Sequence, residues 1–474
     1  MFLVLALTLL AGCGGSSGPN ATAPPSPAPL SAGNLNLIFV VSEDLAYNAS
    51  GDVNPGTANL TNQGLQRSLL MATFLQRHVL GTKNVTGVYV LEPMTHLQTT
   101  NNYPDMVALG TIQQFALLNH ITLSSAAPPQ YFPYTGNSYP LNASYASGSV
   151  PTGVATPTAY CPNCQGLDFN DQGNDNETLV NGIVAAEVPG FYVFSAPWET
   201  TSALMANINE HEDYGLTLPA GYAGPNYIYA ISITPSGSAS LVTFNSNLHP
   251  PSTYPALPSP RPLSTPCAAQ TPFSIDTSTI PGAVIPANIN TNETLYIIRH
   301  ADAHPLPYWS DGNYVCAGQW RALDLPNALR GKISPQQVYS SDPAQISPGT
   351  EGFSWSGVAP SLTVEPYAIA NNLPFGLTAS FAGSSALSTS NFFFTGGQFS
   401  NQTVLLAWSY QFIQPMVQQL LLSYGVAPPV PDWPGDDYDT IWKVRLDAEG
   451  NLTVNNAMCE GIDSAALPAT CPKF

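Results

Sequence analysis

At 474 residues the chain is longer than one ordinary domain and predicts two, each large enough to hold a core. Hydrophobic residues at 44% exclude a disordered chain, and with only 9% charged residues solubility rests on Ser, Thr, Asn and Gly. The formal net charge of −19 excludes a nucleic-acid role, and it repels phosphate unless a local basic pocket overrides the field.

The chain opens MFLVLALTLLAGC, an apolar run too short to span a bilayer. Its end, Leu10-Ala11-Gly12-Cys13, resembles the lipobox of bacterial lipoproteins. That resemblance implies a signal peptide over residues 1–13 and lipidation at Cys13. It also implies an extracytoplasmic place in the envelope, in the periplasm or at the cell surface, with the membrane as a partner through the anchor. No Lys or Arg precedes the run, which leaves the true start codon open. Residues 14–33 are Gly/Ser-rich and then Pro-rich, the composition of a tether.

A Pro-rich linker over residues 249–290 separates two blocks, residues 34–248 and 291–474, and the blocks resemble each other in five segments. LIFVVSEDL pairs with LYIIRHADA, and NQGLQRSLLMATFL with CAGQWRALDLPNAL, matching Gly64 to Gly318 and Arg67 to Arg321. TGVYVLEP pairs with QQVYSSDP, FYVFSAPWETTSALMANI with TVLLAWSYQFIQPMVQQL, and IYAISITPSG with IWKVRLDAEG. Offsets between the pairs place an insertion in the first block, around residues 124–176, where Pro, Tyr, Asn and Gly replace any helical periodicity. In each block strands alternate with helices; Leu65, Leu69, Leu70, Phe74 and Leu75 line one helical face. This predicts an α/β fold of two tandem three-layer α/β/α domains with mostly parallel sheets, and sites beyond the carboxyl ends of the strands.

The second block's strand LYII ends in Arg299-His300-Ala301, and LYIIRHADAHP resembles the opening motif of the histidine phosphatase (phosphoglycerate-mutase-like) superfamily. CAGQWRALDLP, QVYSSDP, SLTVEPYAI, VLLAWSY and DDYDTIW resemble further landmarks of a bacterial branch. The resemblance implies that His300 is the phosphorylated nucleophile, Arg299 the phosphate clamp, and Glu365 or Asp302 the proton donor to the leaving oxygen. A phosphorylated small molecule would be the substrate, and no cofactor is implied.

Against that pattern several cationic slots are changed. Gln345 stands where the next Arg belongs, Ala359 at a further basic position, and Tyr410 at the second His. In the first block Ser42-Glu43 replaces Arg-His, Thr95 takes the central Arg slot and Trp198 the second His slot. Losing one preorganised donor to a developing anion costs roughly 2.7–4 kcal/mol, so several losses remove much of the transition-state stabilisation. The pattern therefore points to an exported, catalytically impaired member acting as an envelope binding or scaffold module. A working phosphomonoesterase through His300 is the alternative. A metal-dependent hydrolase is third, since His300, Asp302 and His304 alternate and would share one face of an extended strand. Six cysteines follow Cys13, an even number that favours disulfides in an exported chain; Cys459 with Cys471 would staple the tail, and Cys161-Pro-Asn-Cys164 reads as a small loop bridge.

Overall fold

A computed structural model describes residues 27–43, 51–91, 93–95, 104–119, 175–257, 271–303, 312–343, 346–348, 354–378 and 385–474. The signal peptide with Cys13, most of the tether, Cys161, Cys164, Cys267, His304, Gln345 and nearly all of the expected insertion lie outside the described residues, as does the side chain of Thr95.

Strand β1 (Leu35–Val41) is buried along its whole length, as an unbroken apolar run requires. It is followed by α1 (Asn62–Phe74), β2 (Gly87–Val90), α2 (Val107–Leu117), α3 (Asp175–Ala185), β3 (Gly190–Ala196), α4 (Trp198–His211), β4 (Tyr227–Ile233) and β5 (Ala239–Asn245). These strands form one sheet in the order β2-β3-β1-β4-β5. The rest of the chain supplies β6 (Ser274–Asp276), β7 (Glu293–Arg299), α5 (Cys316–Ala328), β8 (Gln337–Ser341), α6 (Ala359–Asn371), β9 (Phe375–Thr378) and α7 (Ala386–Phe394). It ends with β10 (Thr403–Trp408), α8 (Tyr410–Ser423), β11 (Thr440–Leu446) and β12 (Leu452–Cys459). Their sheet runs β6-β12-β11-β7-β10-β8-β9.

Within it, β8-β10-β7-β11-β12 has the strand order of β2-β3-β1-β4-β5, with the same sense at every pairing. The five paired sequence segments thus fall on corresponding places of two sheets. The sheets are mixed, however, where mostly parallel ones were expected. β1 and β7 are parallel to β3 and β10, but antiparallel to β4 and β11 on their other side. The reason is local: β4–β5 and β11–β12 are hairpins, closed by turns at Gly237 (φ 82°) and Gly450 (φ 89°), where the left-handed backbone favours glycine.

Alternation along the strands builds two faces. On β10, Val404, Leu406 and Trp408 join the core that includes Met416, Val417 and Leu420 of α8, while Leu405 and Ala407 join the core that includes Trp320 and Leu362 of α5 and α6. That second core is continuous with Met71, Ile112 and Phe115 of α1 and α2, so the inner helices of the two sheets share one interior. The N-terminal end of α1 faces the C-terminal end of α6, and the N-terminal end of α5 faces the C-terminal end of α2. Gly110 on α2 permits the close approach: a Cβ there would lie 2.6 Å from Oε1 of Glu365.

The expected Cys459–Cys471 staple is not made. Cys471 is bonded instead to Cys316, the first residue of α5, and Cys459 is in a different disulfide. The tail then runs along the inner helices, with Trp320 Nε1 donating to Thr470 O at 2.8 Å and Gln114 Nε2 to Pro472 O at 3.1 Å. Phe474 packs against the small apolar cluster that includes Leu69 and Leu323, between the helices of the two sheets.

Candidate functional site

The carboxyl end of β7 holds the two residues that the sequence singles out. Arg299 closes the strand and is only 2% exposed. Its guanidinium carbon lies 3.7 Å from the ring centre of Tyr438 and 4.2 Å from that of Tyr410, a stacked arrangement that suits a planar cation. Nη1 donates to the carbonyls of Gly435 (2.7 Å), Asp437 (3.2 Å) and Pro434 (3.4 Å). Nε is buried without a partner. The expected phosphate clamp is thus engaged within the fold through both tyrosine rings and, by Nη1, through the loop ahead of β11. That loop is itself tied down, for Asp437 accepts from Thr440 Oγ1 at 2.6 Å and its carbonyl accepts from Trp433 Nε1 at 2.8 Å.

His300 leaves the strand with its backbone N–H on Trp408 O at 3.0 Å. Its half-buried ring meets Tyr438 edge-on, with centres 6.1 Å apart. Nδ1 lies 2.9 Å from Ala301 O, which requires the proton on Nδ1 and leaves the lone pair on Nε2. Burial, and then the neighbouring Arg299 charge, push the imidazole pKa down to about 3. The ring is therefore neutral at ordinary pH. Thr363 of α6 fixes the following turn: its Oγ1 accepts from Ala301 N at 2.7 Å and donates to Ala359 O at 2.7 Å.

The two expected proton donors differ in their surroundings. Asp302 pairs with Arg321 (Oδ2 to Nε 2.6 Å), both with fully buried side chains, and the guanidinium holds the carboxylate below its usual range, against the opposing effect of burial. A carboxylate held ionised is a poor acid. Arg321 also contacts Glu460 (2.6 Å), Ile462 O (3.0 Å) and Ser464 Oγ (2.9 Å), so its charge is spent before it reaches His300. One cation cannot hold two buried carboxylates ionised; burial pushes Glu460 up to about 8 while Asp302 keeps the charge. Glu365 sits two residues beyond Thr363, about 200° around the helix, with its carboxyl against Gly110 of α2. Its burial and the nearby Asp105 raise its pKa to about 8.

Among the described residues little other positive charge stands around the strand ends. Ala359 opens α6 as a buried methyl, and Tyr410 opens α8 with its ring on Arg299. Among the described residues no three His, Cys, Asp or Glu side chains converge as metal ligands, and Asp302 is committed to Arg321.

The end of β1 has the same backbone plan. Ser42 N–H bonds Ala196 O at 3.0 Å, as His300 N–H bonds Trp408 O. This aligns Ser42 with His300 and Val41 with Arg299, a correction by one residue to the expected Ser42-Glu43 for Arg-His. The same register aligns Trp198 with Tyr410. Thr61 N–H bonds Asp52 O at 2.8 Å, as Val315 N–H bonds Asp302 O at 3.0 Å. Gly64 and Gly318 each lie under that carbonyl: a Cβ would come within 2.1 Å of Asp52 O or 2.6 Å of Asp302 O, so only glycine fits. Arg67 then pairs with Asp52, as Arg321 does with Asp302.

The first pocket is nearly closed. Glu43 accepts from Tyr222 Oη at 2.7 Å, and Trp198 packs against Tyr222 and Tyr229 at 6.5 and 5.7 Å between ring centres. Some 20 Å³ remains among Ser42, Glu43, Asp52, Gly64 and Arg67. That is room for about one water.

Asp52, Glu460, Tyr438 and Tyr222 were not singled out from the sequence. Tyr438 lies in the landmark DDYDTIW, which was legible; Asp52 and Glu460 are tied to their arginines only by the fold.

No protein-family description matches the chain, and no curated protein matches it. Among solved structures it is similar to a putative phosphohistidine phosphatase SixA from Agrobacterium tumefaciens, with 14% identity over 33% of this chain and 93% of that one, and a TM-score of 0.23. A mycobacterial glucosyl-3-phosphoglycerate phosphatase shows 12% identity over 36% and 99%, with a TM-score of 0.22. A putative phosphohistidine phosphatase SixA from Nakamurella multipartitia shows 18% identity over 39% and 94%, with a TM-score of 0.21. The chain is thus distantly similar to histidine phosphatase structures, and likenesses this remote carry no activity over to it.

Proposed function

We propose that this is an exported, lipid-anchored histidine-phosphatase-like protein that has lost phosphoryl transfer and serves as a binding or scaffold module of a bacterial envelope. The observation that carries it is Arg299. A guanidinium stacked on Tyr410 and Tyr438, with Nη1 on three backbone carbonyls, is engaged in holding a loop. Arg321, the other buried arginine of this half, is neutralised by Asp302 and hydrogen-bonded to Glu460. Phosphoryl transfer depends on positioned positive charge, and the net charge of −19 adds none.

The common strand order of the two sheets supports an origin by tandem duplication, with residues 34–248 as the more degenerate copy and an insertion around residues 124–176. Export and anchoring rest on the lipobox at Cys13, and no described helix is long and apolar enough to cross a membrane. Metabolic labelling with a palmitate analogue, lost on Cys13→Ala, tests the anchor.

A phosphomonoesterase reading keeps one specific support: the neutral His300 with its lone pair on Nε2 is in the state a nucleophile needs. The two readings separate on one assay. Purified protein and His300→Ala are compared on an aryl phosphate from acid to neutral pH. Indistinguishable, background-level hydrolysis is expected; turnover lost with the imidazole would establish the enzyme instead.

A further inference from the structure

We propose that the cleft between the N-terminal end of α1 and the C-terminal end of α6 binds an uncharged, polyhydroxylated ligand, a unit of mono- or disaccharide size. The cleft encloses about 370 Å³, inside the range of roughly 300–1,000 Å³ usual for small-molecule sites. It is far larger than the remnant beside Ser42, and it belongs to neither strand-end pocket.

Its chemistry is uniform. The polar lining consists of amides and hydroxyls, including Asn54, Asn59, Thr61, Asn62, Gln63 and Asn372, and no ionisable side chain lines it among the described residues. A charged ligand would shed its hydration here and meet no counter-charge. Amides offer donors and acceptors side by side, as sugar hydroxyls do in return. Leu60, Ile369 and Leu373 add an apolar strip on which the C–H face of a pyranose can lie.

Two groups in the lining lack what they need. Asn59 is 2% exposed, and its Nδ2 has no partner, while its Oδ1 is fixed by Leu60 N–H at 2.8 Å. Asn62, three residues on, has a buried Oδ1 that is also without a partner. Both atoms lie behind the cleft surface, so a ligand meets them only when the amides turn toward it, which relieves an enclosed donor and an enclosed acceptor. The Asn54 amide also reaches across to Asn372, so a ligand here touches both halves of the molecule.

The opposite end of the same helical layer shows what a filled junction looks like. There the N-terminal end of α5 faces the C-terminal end of α2. Gln113 and Asn313 exchange amide hydrogen bonds at 2.8 and 3.0 Å, and the Cys316–Cys471 bridge brings the tail in against Gln114. The chain closes one end with its own residues and leaves the other open.

The site is independent of His300 and stands whether or not that residue is inert. Saturation-transfer NMR on the full-length protein would use maltose, cellobiose and di-N-acetylchitobiose, with glucose 6-phosphate as the charged comparison. At least one neutral disaccharide is expected to receive saturation, and glucose 6-phosphate none. Ala370→Trp, which fills the cleft from its half-exposed wall, is expected to abolish the signal, with the thermal midpoint reporting that the variant is folded. Asn62→Ala is expected to weaken binding roughly tenfold by removing a hydrogen-bonding group. Silence from all three disaccharides, equal transfer to glucose 6-phosphate, or binding unchanged in folded Ala370→Trp would each overturn the proposal.

Discussion

The ends of β1 and β7 share a backbone and differ in what it carries. Both turn under an aspartate carbonyl, at Asp52 or Asp302, with a glycine packed beneath and an arginine reaching back to the carboxylate. Those parts are present twice because the strand-to-helix turn needs them. The reactive positions diverge instead. One end has Ser42 and Glu43 under Tyr222 with space for about one water; the other keeps His300 but stacks Arg299 on two tyrosines. Retained geometry reports on folding, while the fate of charge at the strand end reports on chemistry.

The two arginines give the largest test of that contrast. Arg321→Ala strands Asp302 and Glu460 with fully buried side chains, and is expected to destabilise by about 3–5 kcal/mol in urea unfolding. Arg67→Ala should cost clearly less, about 1.5–3 kcal/mol, because its side chain is 14% exposed and Asp52 keeps a hydrogen bond from Gln63. Equal losses would break the comparison.

Replacing both Cys316 and Cys471 by Ser should come next, at roughly 2–5 kcal/mol, since the bridge closes a separation of 155 residues and holds the tail on the inner helices. Arg299→Gln should then cost about 1–3 kcal/mol by leaving the carbonyl of Gly435 unmet, while that of Asp437 keeps its bond from Trp433 Nε1. An unchanged unfolding midpoint would mean that the guanidinium is not structural.

The last test is of pH dependence. Glu365 has a folded pKa of about 8, against roughly 4.3 in an unfolded chain. Between those values the folded state holds the extra proton, so stability falls as pH rises through that window and levels off above it. Glu365→Gln should flatten this slope, and an unaltered slope would move its source elsewhere, for instance to the similarly raised Glu293.

Much of this was legible in the sequence, and the failures have physical causes. Strand and helix alternation, the paired segments and the special glycines all follow from local chemistry, and they landed on corresponding elements. The antiparallel hairpins were passed over although the turn glycines Gly237 and Gly450 were in view. The one-residue slip at Ser42 was avoidable, since LIFVVSEDL laid end to end on LYIIRHADA already puts Val41 on Arg299 and Ser42 on His300, the register the strand pairings show. The Cys316–Cys471 bridge and the Arg321–Glu460 contact join residues distant in the chain, and no spacing rule connects them. Arg299 is the instructive case. The motif located it, but its direction depends on Tyr410 and Tyr438, which come from two other elements.

Titration calorimetry with orthovanadate, a mimic of the phosphoryl group in transfer, tests the central claim most directly. With Arg299 and Arg321 both committed within the fold, no saturable heat is expected from the wild-type protein or from His300→Ala. Stoichiometric vanadate binding to the wild type that disappears in His300→Ala would contradict the account and restore His300 as the nucleophile of a working phosphatase.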